Sequence, residues 1–384
     1  MGHQAQRSKS FQKNTKIKKI ENGKTDSGRV AYISVVNVIS AIAVVIMHAN
    51  VSFWLECKTP FWPASNVIES LFYFAVPVFY MLSGATLIDY RDRCTTKEYF
   101  IRRFKKAVIP FMVWCVVGWL WAYRKTLWAM LIGKPNTGLD WTFTGVLNGL
   151  LNTNYRDIYR FFIPLFCIYL IIPLFALVRK EKRVKVFTYI VGISLVINFV
   201  VPFILALLNR YAGITITWRY EIFVGFKYLY YVLIGYVLHN RELKLRYRLI
   251  IYAFAVAGLL THIIGTYCET MASTAGYVES FYKGYYNLPC VLYSTGIFLF
   301  LKQVGSKIKS KKVIGLFSLL QGYTFPIYLI HRYFLDVFEE HLHFTGLNRA
   351  SFEYVFFATI FSLLLSILTT ILLRLIPGVR RIVP

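Results

Sequence analysis

Residues Tyr32 to Trp54 read YISVVNVISAIAVVIMHANVSFW. The apolar run from Val38 to Met47, broken only by the small Ser40 and lengthened on its amino side by small and β-branched residues, gives about 20 to 24 residues. That is enough helix to cross roughly 30 Å of hydrocarbon. His48 lies deep inside this stretch. Eleven helical positions amount to close to three whole turns, so Asn37 shares a face with His48, and Ala41 and Val44 lie between them. The span therefore carries one polar stripe. An imidazole held in a water-excluded pocket can take a proton from a hydroxyl, which makes His48 a candidate general base. A histidine that only hydrogen-bonds across a helix interface would leave the same trace.

Composition sets the class of protein around that helix. Of 384 residues, 57% are hydrophobic and 18% aromatic, while only 16% are charged, which excludes an ordinary soluble domain. The expected fold is all-α: a polytopic transmembrane bundle in the cell membrane. A net charge of +26 in a soluble chain would suggest nucleic acid. Here Lys and Arg cluster between apolar runs, so topology explains them and no nucleic-acid partner is expected. The six cysteines stand singly, without CxxC or Cys/His spacing, so neither a metal site nor a disulfide framework is expected. Cys57 and Cys268 are the two that could meet on the outer side.

Residues 1 to about 28, with Arg29 at their end, hold eight Lys or Arg and few apolar residues, the composition of a disordered basic tail. They lack an apolar core followed by a small-residue cleavage site, so the first span is expected to stay in the mature protein. From residue 29 to 384 a single membrane domain is expected. Its spans fall near 30–53, 66–90, 104–123, 158–178, 185–208, 222–239, 249–267, 285–301, 313–338 and 351–374, ten in all. The stretch from Trp141 to Leu151 is too short to cross and reads as an interfacial helix. With the amino terminus in the cytoplasm, 32 of the 44 Lys and Arg fall in cytoplasmic segments, which predicts both termini on that side.

Polar residues within apolar spans are where membrane proteins keep their chemistry. The second span ends FAVPVFYMLSGATLIDYRDR, where Pro77 breaks the backbone ladder and Ser83-Gly84 permits close approach. The following FIRRFKKAVIP brings Arg102, Arg103, Lys105 and Lys106 to the mouth of the third span. They serve either as positive-inside anchors or as a grip on phosphate oxygens. The ninth span carries Gln321, Tyr323, Tyr328, His331 and Asp336 in QGYTFPIYLIHRYFLDVF. His331 and His48 each lie 18 residues beyond the start of their span, which predicts similar depth and one shared pocket. Lys227, Glu221, Asp157 and Arg160 add charge on the same side, where snorkelling explains the long cations equally well.

In order, SAIAVVIMHAN, VPVFYMLSGATL, FIRRFKKAVIPFMVW and YTFPIYLIH resemble the acyltransferase family 3 of integral membrane O-acyltransferases, and the likeness runs from Val30 to the last span. The resemblance implies transfer of an acyl group, most often acetyl, from a cytoplasmic acyl-CoA to a hydroxyl of a surface or lipid-linked glycan, with membrane lipid as surroundings and no bound cofactor. His48 would be the base or a transient acyl acceptor. Arg102, Arg103, Lys105 and Lys106 would hold the donor, Asn37, Ser83, Tyr328 and His331 would position groups or donate to an oxyanion, and Lys227, Arg160 and Glu221 would lie on the acceptor side. Many members place an arginine or lysine eleven residues before the histidine, often with an aspartate three residues earlier. This chain has Asn37 and Ser34 there, and Asn37 can orient a ligand but supplies no charge. A flippase or exporter of glycan intermediates is the alternative, and a donor-binding sensor a third reading.

Overall fold

A computed structural model describes residues 31–124, 142–225, 227–342 and 345–384. The expected basic tail, and Trp141 at the start of the expected interfacial helix, lie outside these. Among the described residues the chain is all-α. Nine helices among the described residues are long and apolar enough to cross a membrane: α1 (Ala31–Leu55), α2 (Trp62–Asp92), α3 (Thr96–Ala122), α4 (Asp157–Phe175), α5 (Lys180–Ala212), α7 (Leu245–Ala272), α8 (Leu288–Lys307), α9 (Lys311–Glu340) and α10 (Phe352–Leu375). The helix between α5 and α7 is α6, Tyr228–Asn240.

The expected span 222–239 is thus replaced by a 13-residue helix, about 20 Å long and too short to cross unaided. Position explains the shortness. Every residue from Tyr230 to Leu238 is buried, so protein rather than lipid surrounds α6. Glycines set the depth of that burial. A Cβ on Gly84 of α2 would run into the Val232 carbonyl of α6, and one on Gly235 of α6 would run into the Met81 backbone of α2. The two helices therefore touch backbone to backbone. At the far end of α6 the buried Lys302 donates to the carbonyls of Leu238 at 2.7 Å and His239 at 3.3 Å, placing a cation on the negative end of the helix dipole.

The basic stretch after the second span is helical rather than a loop. Thr95 and Glu98 form a reciprocal capping box, with the Glu98 N–H donating to Thr95 Oγ1 at 3.3 Å and the Thr95 N–H to Glu98 Oε2 at 2.8 Å. The helix begun there widens at Phe104–Val108, just before Pro110, which has no N–H to close an ordinary turn. Helix α10 shows how the bundle meets its surroundings. Ala358, Ser362, Ser366 and Thr370, four apart, face inward, while Ile360, Leu364, Leu368 and Leu372 face out. Small residues inside and leucines outside is the pattern of a helix solvated by lipid. The short helix Phe143–Leu151 lies where an interfacial helix was expected and exposes Phe143, Leu147 and Leu151. Cys57 and Cys268 are free thiols rather than a pair, the Cys57 Sγ–H being given to the Gly276 carbonyl instead.

Candidate active site

Helix α1 threads two cavities. Toward its amino end, where the basic loops lie, Asn37 lines a cavity of about 430 Å³ with Arg93, Arg102 and Arg103 at its mouth. Arg103 sits 5.8 Å from the centre of the Tyr169 ring. Lys105 and Lys106 are exposed and lie outside the lining, because the wide turn carries them around the helix. Ser83 lines the cavity but gives its proton to the Phe79 carbonyl of its own helix at 3.0 Å, so it faces the cavity as an acceptor. Ser34, at the second departure from the family pattern, donates to Gln321 Oε1 at 2.6 Å. A neutral hydrogen bond between α1 and α9 stands at that position.

Three turns further on, the same face of α1 brings His48 into a second cavity of about 890 Å³. Asn37 and His48 therefore share a face, as their spacing requires, but not a pocket. Among the described residues only two side chains line both cavities, Phe161 and Tyr328, whose rings lie 5.1 Å apart. The Tyr328 hydroxyl donates to the Ile158 carbonyl at 2.7 Å, which ties the partition to α4.

The equal depth expected for the two histidines is found: the His48 and His331 rings are 5.3 Å apart. Only His48 faces the cavity, however, and His331 is fully buried behind it. His331 Nδ1 lies 2.9 Å from the Ile327 carbonyl and 3.0 Å from that of Tyr328. Both partners are acceptors, so the ring proton belongs on Nδ1 and Nε2 carries a lone pair. The His331 carbonyl in turn accepts from Ser362 Oγ at 2.7 Å.

Positive charge reaches this cavity from residues that the sequence reading passed over. Arg332 Nη1 approaches the His48 carbonyl at 3.4 Å, and its Nε pairs with Asp336 at 3.1 Å. Asp336 also accepts from Arg156 Nη1 at 2.6 Å and from the Trp121 indole at 3.0 Å. Two guanidinium groups share one carboxylate. The opposite wall holds Glu69, buried and hydrogen-bonded by Asn50 at 3.3 Å, together with Tyr73 and Tyr285, stacked at 4.5 Å. Behind Glu69 the buried Lys283 donates to Ser70 at 2.7 Å and Asn66 at 3.1 Å. Glu69 and Arg332 could have been found as charges inside apolar spans. Arg156 and Lys283 lie between spans, where no periodicity marks them.

The residues expected on the acceptor side separate. Arg160 lines the His48 cavity at its exposed rim, paired with Asp157 at 3.1 Å. Lys227 is outside the lining, next in sequence to the cavity residue Tyr228, with its ammonium 5.5 Å from the Tyr286 ring centre. Glu221 lines a different open pocket, with Asn198 and Trp218. A protein-family model described as an acyltransferase domain matches residues 30–371. No curated protein and no solved structure matches the chain.

Proposed function

The chain belongs to this family of membrane acyltransferases, and from that premise we propose that it moves an acyl group, in the first instance acetyl, from acyl-CoA to a hydroxyl of a surface or lipid-linked glycan. The basic face is taken as cytoplasmic and the membrane as the cell membrane. One observation carries the proposal: a cavity-facing imidazole, His48, is separated only by Phe161 and Tyr328 from a second cavity with three arginines at its mouth. Guanidinium groups suit the phosphates of a nucleotide donor. From Asn37 to His48 is about 16 Å along the helix axis, a distance suited to a thin linear arm and not to the nucleotide itself. The aromatic wall and Glu69 suit a glycan, whose C–H faces stack on rings and whose hydroxyls donate to a carboxylate.

In the direct route His48 takes the acceptor hydroxyl proton, the oxygen attacks the thioester carbonyl, and the carbon–sulfur bond breaks. The thiolate then recovers the proton from the imidazolium, leaving the ester and free thiol. In the two-step route the imidazole carries the acyl group between the two bonds. Both routes require the Phe161–Tyr328 partition to open so that the thioester carbonyl reaches His48. Arg332 and His331 then act as positioning residues, one on the backbone and one behind the ring of the base.

The test is transfer from labelled acetyl-CoA to glycan by the purified protein in lipid. His48→Ala is expected to lose at least about a hundredfold of the rate while remaining folded and inserted. Transfer at the parent rate in that variant would remove the mechanism. Glycan translocation that is lost in the variant, with no transfer by the parent, would establish the flippase reading instead.

A further inference from the structure

Arg156 stands out among the buried cations. Its side chain is only 9% exposed and lines the His48 cavity. Nη1 is committed to Asp336, yet Nε and Nη2 are buried without a hydrogen-bond partner among the described residues. The half-buried Arg103, Arg248 and Arg349 each have one buried nitrogen without a partner among the described residues, Nε, where Arg156 has two. The arrangement is held rather than loose. The Arg156 guanidinium lies 4.4 Å from the centre of the Tyr333 ring, and the Tyr333 hydroxyl is 3.0 Å from that of Tyr159. Buried N–H groups left unpaired are costly, and costlier on a charged group, so a guanidinium that lines a cavity while two of its nitrogens are buried and unpartnered is suited to a group that arrives.

The charges say what arrives. Around the cavity Arg160 is balanced by Asp157 and Glu69 is balanced by Lys283 behind it, whereas Arg156 and Arg332 divide a single carboxylate, Asp336. One positive charge is left over at the wall. The nitrogens left free, Nε and Nη2, are adjacent on the guanidinium fork, the edge that receives two oxygens of a planar or tetrahedral anion side by side.

We propose that Arg156 forms an anion subsite in the His48 cavity, taking the carboxylate or phosphate group of an acidic acceptor so that a neighbouring hydroxyl lies against the imidazole. The proposal rests on the acceptor occupying this cavity, and it narrows that acceptor from glycans in general to glycans bearing an anionic group.

Binding can be read without turnover, by thermal melting of the detergent-purified protein with glucuronate, glucose 1-phosphate or glucose at equal ionic strength. A ligand that binds only the folded state raises the melting temperature. Glucuronate or glucose 1-phosphate is expected to raise it and glucose not, and the larger of the two shifts identifies carboxylate or phosphate as the group recognised. The shift should vanish in Arg156→Met, return in part in Arg156→Lys, and persist when Arg102 and Arg103 at the other cavity are both replaced by Gln. Equal shifts with glucose, a shift retained in Arg156→Met, or one lost in the Arg102/Arg103 variant would each overturn the subsite. In a transfer assay Arg156→Met should raise KM for an acidic acceptor about tenfold or more and leave KM for its neutral analogue unchanged. A uniform fall in kcat for both would instead assign Arg156 to the oxyanion of the transition state. Anion binding with no acyl transfer by the parent would leave the subsite standing and remove the acyltransferase reading.

Discussion

Single side chains in this protein are defined by what surrounds them more than by what they are. Lys283, between α7 and α8, is the clearest case that can be titrated. Burial pushes its ammonium from 10.5 down to about 7, against the pull of Glu69. Between those two values the folded protein holds fewer protons than the unfolded chain, so this residue makes stability rise as pH increases from about 7 to about 10. Lys283→Met should abolish that rise, which melting curves in detergent across the same window would record. An unchanged slope would mean that the ammonium is hydrated. His48 and His331 make the same point without titration. They are alike in residue type and depth, but one faces a cavity and the other a wall of carbonyls, and only the first can meet a substrate.

Among the helices, α6 has the most to tell. It contains four tyrosines in 13 residues and is buried throughout its centre, so apolar surface alone does not place it. Gly84 and Gly235 do, by letting the backbones of α2 and α6 touch. Gly84→Leu or Gly235→Leu should cost more than about 3 kcal/mol, because the obstructing atoms belong to backbone that cannot rotate away. Gly192 of α5 faces open space, and Gly192→Ala should be neutral or stabilise by up to about 1 kcal/mol. The yield of monodisperse protein and its melting temperature would separate the two outcomes. A well-folded Gly84→Leu protein would refute the backbone contact.

For the molecule as a whole, the feature that gives the two cavities distinct roles is orientation. The smaller cavity opens beside Arg93, Arg102 and Arg103, on the face that also carries the Lys- and Arg-rich turns after α4, α6 and α8. If that face is cytoplasmic, the nucleotide donor enters where it is made, and the His48 cavity faces the side where surface glycans are displayed. In a background without native cysteines, Lys309→Cys should react with a membrane-impermeant probe only after the membrane is opened, and Asn348→Cys in intact cells. Reaction of Lys309→Cys from outside would reverse the two sides.

The one-dimensional signals sufficed for what depends on local chain physics. Apolar length and charge clusters marked ten spans, nine of which are long helices among the described residues, because a segment surrounded by lipid must be apolar enough by itself. The eleven-residue spacing put Asn37 and His48 on one face, and equal offsets put His48 and His331 at one depth, because helical geometry fixes both. The sequence could not show that α6 is a short helix sheathed in protein, since burial by neighbours is not written in a segment's own hydropathy. Nor could it show that Asn37 and His48 open into different cavities, or that Arg156, just before α4, shares Asp336 with Arg332 of α9, the Arg156 contact spanning 180 residues. Positive charge enters the His48 cavity from Arg156 at the foot of α4 and Arg332 of α9. Only the packing of α4 against α9 brings it there.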